Sequence, residues 1–464
     1  MSYCKGPILS PWATRRFGRQ LPGLFAAVFM VSHVWVSSAA GAGEDVSPTL
    51  LGENASIDDY LRFAALNNAG LEAAFNRWRG ALERIPQAKS LPDPRFNYTY
   101  FIEEVETRVG PQRQKFGLVQ LFPWFGTLRL RGDSAAEAAA ATQQAYEKSK
   151  LALFYRVKTA YYEYWYLAQA IVVIKEHFKL VTNLEGVART RFKVGVAPNS
   201  AVIQAQVELG KLDDRLRSLE SLREPIVARL NAALNRPTHH PLPWPRSLPE
   251  FTVSFSDEQA RQWLEESSPE LRRLDHLARK EEAEIELARK GFYPDITLGI
   301  DYVDTGDALN PDMADSGKDP VMAMVSINLP IWYGKYRASE REALLRKMAM
   351  EEERDDTEKS LGADLQLALY QLRDAERKID LYGDTLVPKA VQSLKVVQQE
   401  FEAGSTGFIA LIDAQRLLLE FQLAERRAQA DRGQRLAEVE MIVNKELSKN
   451  AEEVENSGVR PPSD

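Results

Sequence analysis

Alternation of apolar and polar residues appears twice in this chain, each time between long stretches of helical pattern. Phe96, Tyr98, Tyr100 and Ile102 fall on one face of an extended segment, with Asn97, Thr99 and Glu103 on the other; Phe101 blurs the second face. A turn at Gly110-Pro111 leads to a returning segment, Phe116 to Phe122, so a β-hairpin is predicted over 95–122. In the second half Ile296, Leu298, Ile300 and Tyr302 alternate with Thr297, Gly299 and Asp301. After a polar Asp- and Gly-rich stretch, Val321, Ala323, Val325, Ile327 and Leu329 form a returning apolar face, predicting a second hairpin over 294–330.

The stretches around the hairpins read as helix. A first helix is predicted from Ser56 or Asp58, either of which can cap it, to about Ile85; the prolines in Leu91-Pro92-Asp93-Pro94 keep it from continuing. Thr127 to Val194 holds no proline, about 68 residues, which as helix spans roughly 100 Å at 1.5 Å per residue. Gly195-Val196-Ala197-Pro198 ends it, and a second helix follows over 199–235. The second half predicts helices over 257–290, 335–403 and 407–447, with a turn at Gly404-Ser405-Thr406-Gly407 and a kink at Pro388.

These two halves are one plan written twice. Trp124 and Trp332 are 208 residues apart, as are Gly126 and Gly334. Phe192 and Phe401, Gly195 and Gly404, and Ala205-Gln206 and Ala414-Gln415 are each 209 apart. Residues 43–242 form the first repeat and 243–449 the second, joined through a connector carrying Pro237, Pro241, Pro243, Pro245 and Pro249, with residues 450–464 as a disordered tail.

Residues 1–42 read as a cleaved export signal. Arg15, Arg16 and Arg19 precede an apolar run from Leu21 to Val36, which is short for a membrane span, and small residues lead to a cleavage point after Ala42. That segment holds the only cysteine, Cys4, so a mature chain has no disulfide and depends on packing or oligomerisation. It also holds four cations and no acid, so the remainder carries −11 against −7 for the whole, which gives no support for a nucleic-acid partner.

Four strands of about ten residues are long enough to cross an outer membrane tilted, but a sheet in hydrocarbon must close on itself. Four cannot close around a pore, whereas three copies supply twelve. Phe96, Tyr98, Tyr100, Phe122 and Tyr302 suit an interfacial girdle. The alternation also fits an ordinary sheet packed under the helices.

Leu91-Pro92-Asp93-Pro94, Gln120-Leu121-Phe122-Pro123-Trp124-Phe125-Gly126, Arg191-Phe192-Lys193-Val194-Gly195, and Phe401-Glu402-Ala403-Gly404 with Leu411-Ile412-Asp413-Ala414-Gln415-Arg416 together resemble the TolC family of outer-membrane efflux proteins, in order and over nearly all of the chain beyond the signal. The resemblance implies a mixed, mostly α fold: a homotrimer whose very long antiparallel helices form an α-barrel through the periplasm and whose four strands per protomer build a twelve-stranded β-barrel in outer-membrane lipid. It implies a passive duct of a tripartite efflux pump or type I secretion system, working with a periplasmic adaptor and an inner-membrane transporter that sets the cargo.

The resemblance also assigns roles. The helical turns become periplasmic tips, with Val194, Gly195 and Val196 in one and Ala403, Gly404 and Ser405 in the other as adaptor contacts. Asp413 matches a pore-gate aspartate. The family aspartate one turn earlier falls on Ala410, and the first-repeat equivalent of Asp413 is Gln204, so one half alone supplies the charge.

Other candidates read more simply as structure. His239-His240 sits in the connector without nearby ligands; Asp304, Asp307, Asp312, Asp315 and Asp319 lack the spacing of a calcium loop; Tyr161-Tyr162-Glu163-Tyr164-Trp165-Tyr166 suits helix packing. No nucleophile motif, phosphate loop or zinc spacing is present, so no catalytic residue, metal or cofactor is expected. The competing expectation is a soluble periplasmic coiled-coil scaffold or adaptor, which differs from the duct in having no lipid-facing strands.

Overall fold

The computed structural model describes residues 51–52, 55–245, 248, 251–310, 312–447 and 449–450. The expected export signal lies outside these residues, as do positions 451–464 of the expected tail.

The first predicted helix is three. α1 (Ile57–Asn67) opens on a capping box in which Ser56 and Asp59 satisfy each other's backbone N–H. Asn68 ends it and caps α2 (Ala69–Leu82), its side chain accepting from the Leu71 N–H at 3.0 Å, and α3 (Arg84–Lys89) follows. The apolar periodicity carries across Asn68, which is why pattern alone gives one helix.

β1 (Arg95–Thr107) and β2 (Gly110–Phe122) form the first hairpin. α4 (Thr127–Lys193) is a single helix of 67 residues, and α5 (Asn199–Ala233) returns along it, with Pro225 inside. A short β3 (Phe251–Thr252) precedes α6 (Asp257–Ser267) and α7 (Pro269–Lys290). Here too a predicted single helix is broken, because Pro269 fits a first turn and not a helix interior. β4 (Ile296–Thr305) and β5 (Val321–Ile327) form the second hairpin. α8 (Tyr333–Asp380), α9 (Val387–Ala403) and α10 (Phe408–Val443) follow, with β6 (Lys449–Asn450) pairing with β3.

Helix 335–403 was expected to kink at Pro388. Instead a π-helical turn, Leu381–Leu386, separates α8 from α9, and Pro388 sits in the first turn of α9. Proline lacks an N–H and crowds the carbonyl four residues earlier; the widened turn just upstream accommodates both defects.

Each repeat closes its broken first helix in the same way. Asn235 and Asn444, 209 apart, both take left-handed backbone, at φ 56° and 52°. Asn235 Nδ2 donates to the Asn67 carbonyl at 2.9 Å, and Asn444 Nδ2 donates to the Ser267 carbonyl at 3.0 Å. The duplicated plan thus extends to a pair of side-chain clamps.

Three apolar clusters line the helices. One gathers Tyr60, Tyr161, Tyr164, Trp165 and Leu230 where α1, α4 and α5 meet; one runs along α4, α5, α9 and α10 toward the two turns; one joins α6, α8 and α10. The tyrosine-rich run of α4 is therefore packing. Tyr164 donates to the Leu242 carbonyl at 3.0 Å, burial pushes the Tyr161 phenol up to about 12, and Tyr162 lies so tightly on Gly433 that a Cβ there would come within 2.5 Å of its ring. Among the described residues no helix is long and apolar enough to cross a membrane.

Candidate functional site

The two hairpins join into one antiparallel sheet in the order β1-β2-β4-β5. Its register decides what each face carries. Phe96 lies opposite Leu118 and Tyr98 opposite Phe116; Phe116 lies opposite Tyr302, Leu118 opposite Ile300, Ile300 opposite Ala323 and Leu298 opposite Val325. Partners across a ladder project to the same side, so these residues form one continuous apolar face. That face is uncovered: Tyr100 is 64% exposed, Ile300 53% and Val325 72%. The sheet is not packed under the helices, and the ordinary-sheet reading fails here.

The other face is mixed and close-fitted, with Val119, Val303 and Met324 beside its polar residues. Lys115 Nζ lies 2.8 Å from Asp301 Oδ2, and Gly117 opposite Asp301 leaves room for that carboxylate. Both sheet edges, β1 and β5, have no partner strand among the described residues. A sheet with one apolar face and two open edges can bury neither in water nor in lipid by itself; it needs further strands.

Where strands become helices, Trp124 stacks on Tyr293 at 5.2 Å, and Phe125, Trp332 and Tyr333 stand exposed. Trp124 and Trp332 were legible as repeat markers; the structure places both where the strands end and the helices begin.

At the far end of the helices the two turns meet. α4 closes on Gly195 at φ 77°, with Val196 N–H donating to the Arg191 carbonyl at 2.9 Å. α9 closes on Gly404 at φ 82°, with Ser405 N–H donating to the Glu400 carbonyl at 2.9 Å. Both are left-handed caps of the kind glycine permits. All six predicted tip residues, Val194, Gly195, Val196, Ala403, Gly404 and Ser405, are exposed. Between the turns lies a groove of about 250 Å³ lined by Arg191, Val196, Pro198, Phe401, Thr406 and Phe408, among others.

Arg191 holds the turns together. Its Nη1 donates to the carbonyls of Phe401 and Glu402, each at 2.7 Å, and its guanidinium lies 4.9 Å from the Phe401 ring centre. Sequence reasoning missed this residue. The signal available was its repeat partner, Glu400, since a cation aligned with an acid marks unequal halves.

Asp413 lies exposed in the second turn of α10. Its Oδ1 is 3.4 Å from Arg416 Nη1, and Arg416 reaches further to Glu208 on α5, at 2.6 Å through Nη2. Glu208 is buried. The predicted gate residue therefore belongs to a charged line, Asp413–Arg416–Glu208, that ties α10 to α5; the arginine and the buried glutamate were not anticipated. The histidines of the connector and the loop aspartates are not brought together: among the described residues no cluster is suited to a metal. Asp319 instead accepts from the Thr305 N–H at 2.7 Å and shapes its own loop.

A sequence profile described as "Outer membrane efflux protein" matches residues 61–236 and 260–445, more than half of the chain. The chain belongs to that family. Among curated relatives, the probable efflux pump outer membrane protein TtgC of Pseudomonas putida is 24% identical over 325 residues, 69% of this chain and 65% of the relative; the chain thus spans about two thirds of the length of such relatives. Among solved structures, the outer-membrane channel OprN superposes with a TM-score of 0.72 at 15% identity, covering 83% of this chain and 89% of that one. The open state of the Neisseria gonorrhoeae MtrE outer membrane channel gives 0.67 at 19%, covering 84% and 89%. This member of the family thus shares the TolC-like fold of those channels, mostly helical with a few strands, and is an outer-membrane protein.

Proposed function

We propose that this protein is the outer-membrane duct of a tripartite efflux system. Three copies close twelve strands into a barrel, β5 of one pairing with β1 of the next, and their helices continue as a tube into the periplasm. The observation that carries the reading is the open-edged sheet with a continuous, uncovered apolar face. Lipid is the medium in which such a face is stable, and closure is the condition lipid imposes on its edges. A soluble scaffold would leave that face in water, which disfavours the alternative.

The exposed tips and the groove between them support docking of a periplasmic adaptor, itself bound to an inner-membrane transporter that supplies the cargo. Three Asp413 carboxylates around the axis would concentrate cations at the closed end and repel one another. No group here is proposed to make or break a covalent bond.

Planar-bilayer recording of the purified trimer tests the duct. Steady cation-selective currents are expected, and Asp413→Ala should weaken block by divalent cations. Recovery of the protein as a soluble periplasmic monomer would overturn the duct. A trimer whose block is the same with and without Asp413 would remove that residue from the gate.

A further inference from the structure

His177 is the one buried histidine among the described residues, 3% exposed in the seam between α4 and α10. It is held from both sides by amides of α10. Gln415 Nε2 lies 2.9 Å from its Nδ1, and Gln422 Oε1 lies 2.7 Å from its Nε2. An amide NH₂ can only donate and an amide oxygen can only accept, so Nδ1 is the acceptor and Nε2 carries the hydrogen. The arrangement is that of a neutral imidazole. A second proton on Nδ1 would point at the Gln415 NH₂. Turning that amide over would supply an acceptor yet leave a cation in an apolar seam.

Among the described residues no carboxylate bonds to the imidazole, and the one carboxylate whose charge favours a cation there is Glu176. On α4 the neighbouring Glu176 is exposed, and Lys175 pairs with Glu220 on α5. On α10 Arg416 is turned to Glu208 of α5 and to Asp413, and Glu420 is exposed. α9 contributes Ala390 and Leu394 to the cluster while Lys389 and Lys395 are exposed, and α5 contributes Ala205 and Leu212 while Lys211 is exposed. The repeat partner of His177, 209 residues on, is Leu386, so the device exists in one half only.

The seam also has a place to bend. The π-helical turn at Leu381–Leu386 separates α9 from α8, and its Tyr382 packs on Phe421 at 5.8 Å, beside Gln422. Below this point α9 and the first half of α10 form a pair fastened to α4 along the seam through Gln415 and Gln422 and at the turns through Arg191.

We propose that His177 is an acid-released latch: neutral, it fastens the α9–α10 pair to α4, and protonated, it lets that pair part from α4, so the tip end of the duct opens more readily as pH falls. The latch rests on the duct reading. Its sign follows from linkage. Burial, the leading cause, holds the imidazole below its ordinary 6.5, and the hydrogen bond to Gln422 and the charge of Glu176 pull it partly back. A parted, hydrated seam restores the ordinary value. The fastened state is therefore fully favoured above 6.5 and is lost as pH falls from there toward the depressed value.

The test compares wild type with His177→Gln, whose amide can still hydrogen bond but does not titrate. Trimers in planar bilayers are recorded at about pH 7.5 and about pH 5.5 on the tip side, two units spanning the histidine range. Open probability of the wild type is expected to rise, by up to roughly tenfold for each His177 because pH 5.5 lies one unit below the ordinary 6.5, and that of the variant to stay flat. Hydrogen exchange over 408–423 is followed in parallel, each pH compared between the two proteins. Faster exchange at the lower pH in the wild type alone supports the latch. An equal pH response in both proteins, or none in the wild type, overturns it. Exchange that responds as expected in a trimer passing no current would sink the duct and not the seam's response to acid.

Discussion

Asn444 and Asn235 show how much a single side chain can fix in a molecule built of very long helices. Each sits just past a helix end in left-handed backbone, which asparagine tolerates better than most residues, and each uses its amide to satisfy a carbonyl at the break of another helix. Replacing Asn444 by alanine removes the hydrogen bond to Ser267 and places a less tolerant residue at φ 52°. A loss of about 1–3 kcal/mol is expected, read as a lower midpoint in denaturant melts. Asn444→Gly should recover the backbone part and not the hydrogen bond. At the same scale His177, Arg191 and Glu208 explain what pattern cannot see. Periodicity marks a position as buried or exposed; it does not say that a buried position is polar because a partner waits 200 residues away.

At the scale of elements, the helix ends carry the information. The glycines of both turns, the prolines beyond the first long helix and the strand alternation were readable because each acts through local backbone sterics. The break at Asn68 was not, since the apolar stripe runs through it; the break at Ser268 was readable from Pro269, which fits a first turn and not a helix interior. Pro388 was correctly seen as incompatible with a regular helix, but the remedy was a widened turn upstream. The tip turns are held to each other by Arg191. Arg191→Ala removes two charge-assisted hydrogen bonds and a ring contact at one end of the bundle. Hydrogen exchange at 191–200 and 401–408 should quicken by roughly tenfold, while the global melting point stays near wild type, because only the ends open.

For the whole molecule, the sheet sets the surroundings. Its apolar face demands a medium without water, and the helices, with polar surface along much of their length, demand one with it. A charge in the middle of that face tests the division. Ile300→Lys is expected to cost about 2–4 kcal/mol in the membrane, as lysine does near a bilayer midplane. Outer-membrane recovery of trimer should fall severalfold while helix content by circular dichroism is kept. Unchanged recovery would mean that the face does not meet lipid.

The sequence by itself determined the duplication, the hairpins, the length of α4 and the glycine turns, because these follow from period, chain length and local sterics. It also carried the family resemblance, through short motifs kept in order. Only the tertiary structure decided that β2 pairs with β4, so that two hairpins become one open-edged sheet. It alone joined Asp413 to Arg416 and Glu208, brought Arg191 onto the end of α9, and enclosed His177 between two glutamines. Each of these is a contact between residues far apart in the chain. Such contacts depend on how helices are rotated and slid against one another, and a few degrees or one residue of register, invisible to periodicity, settle which side chains meet.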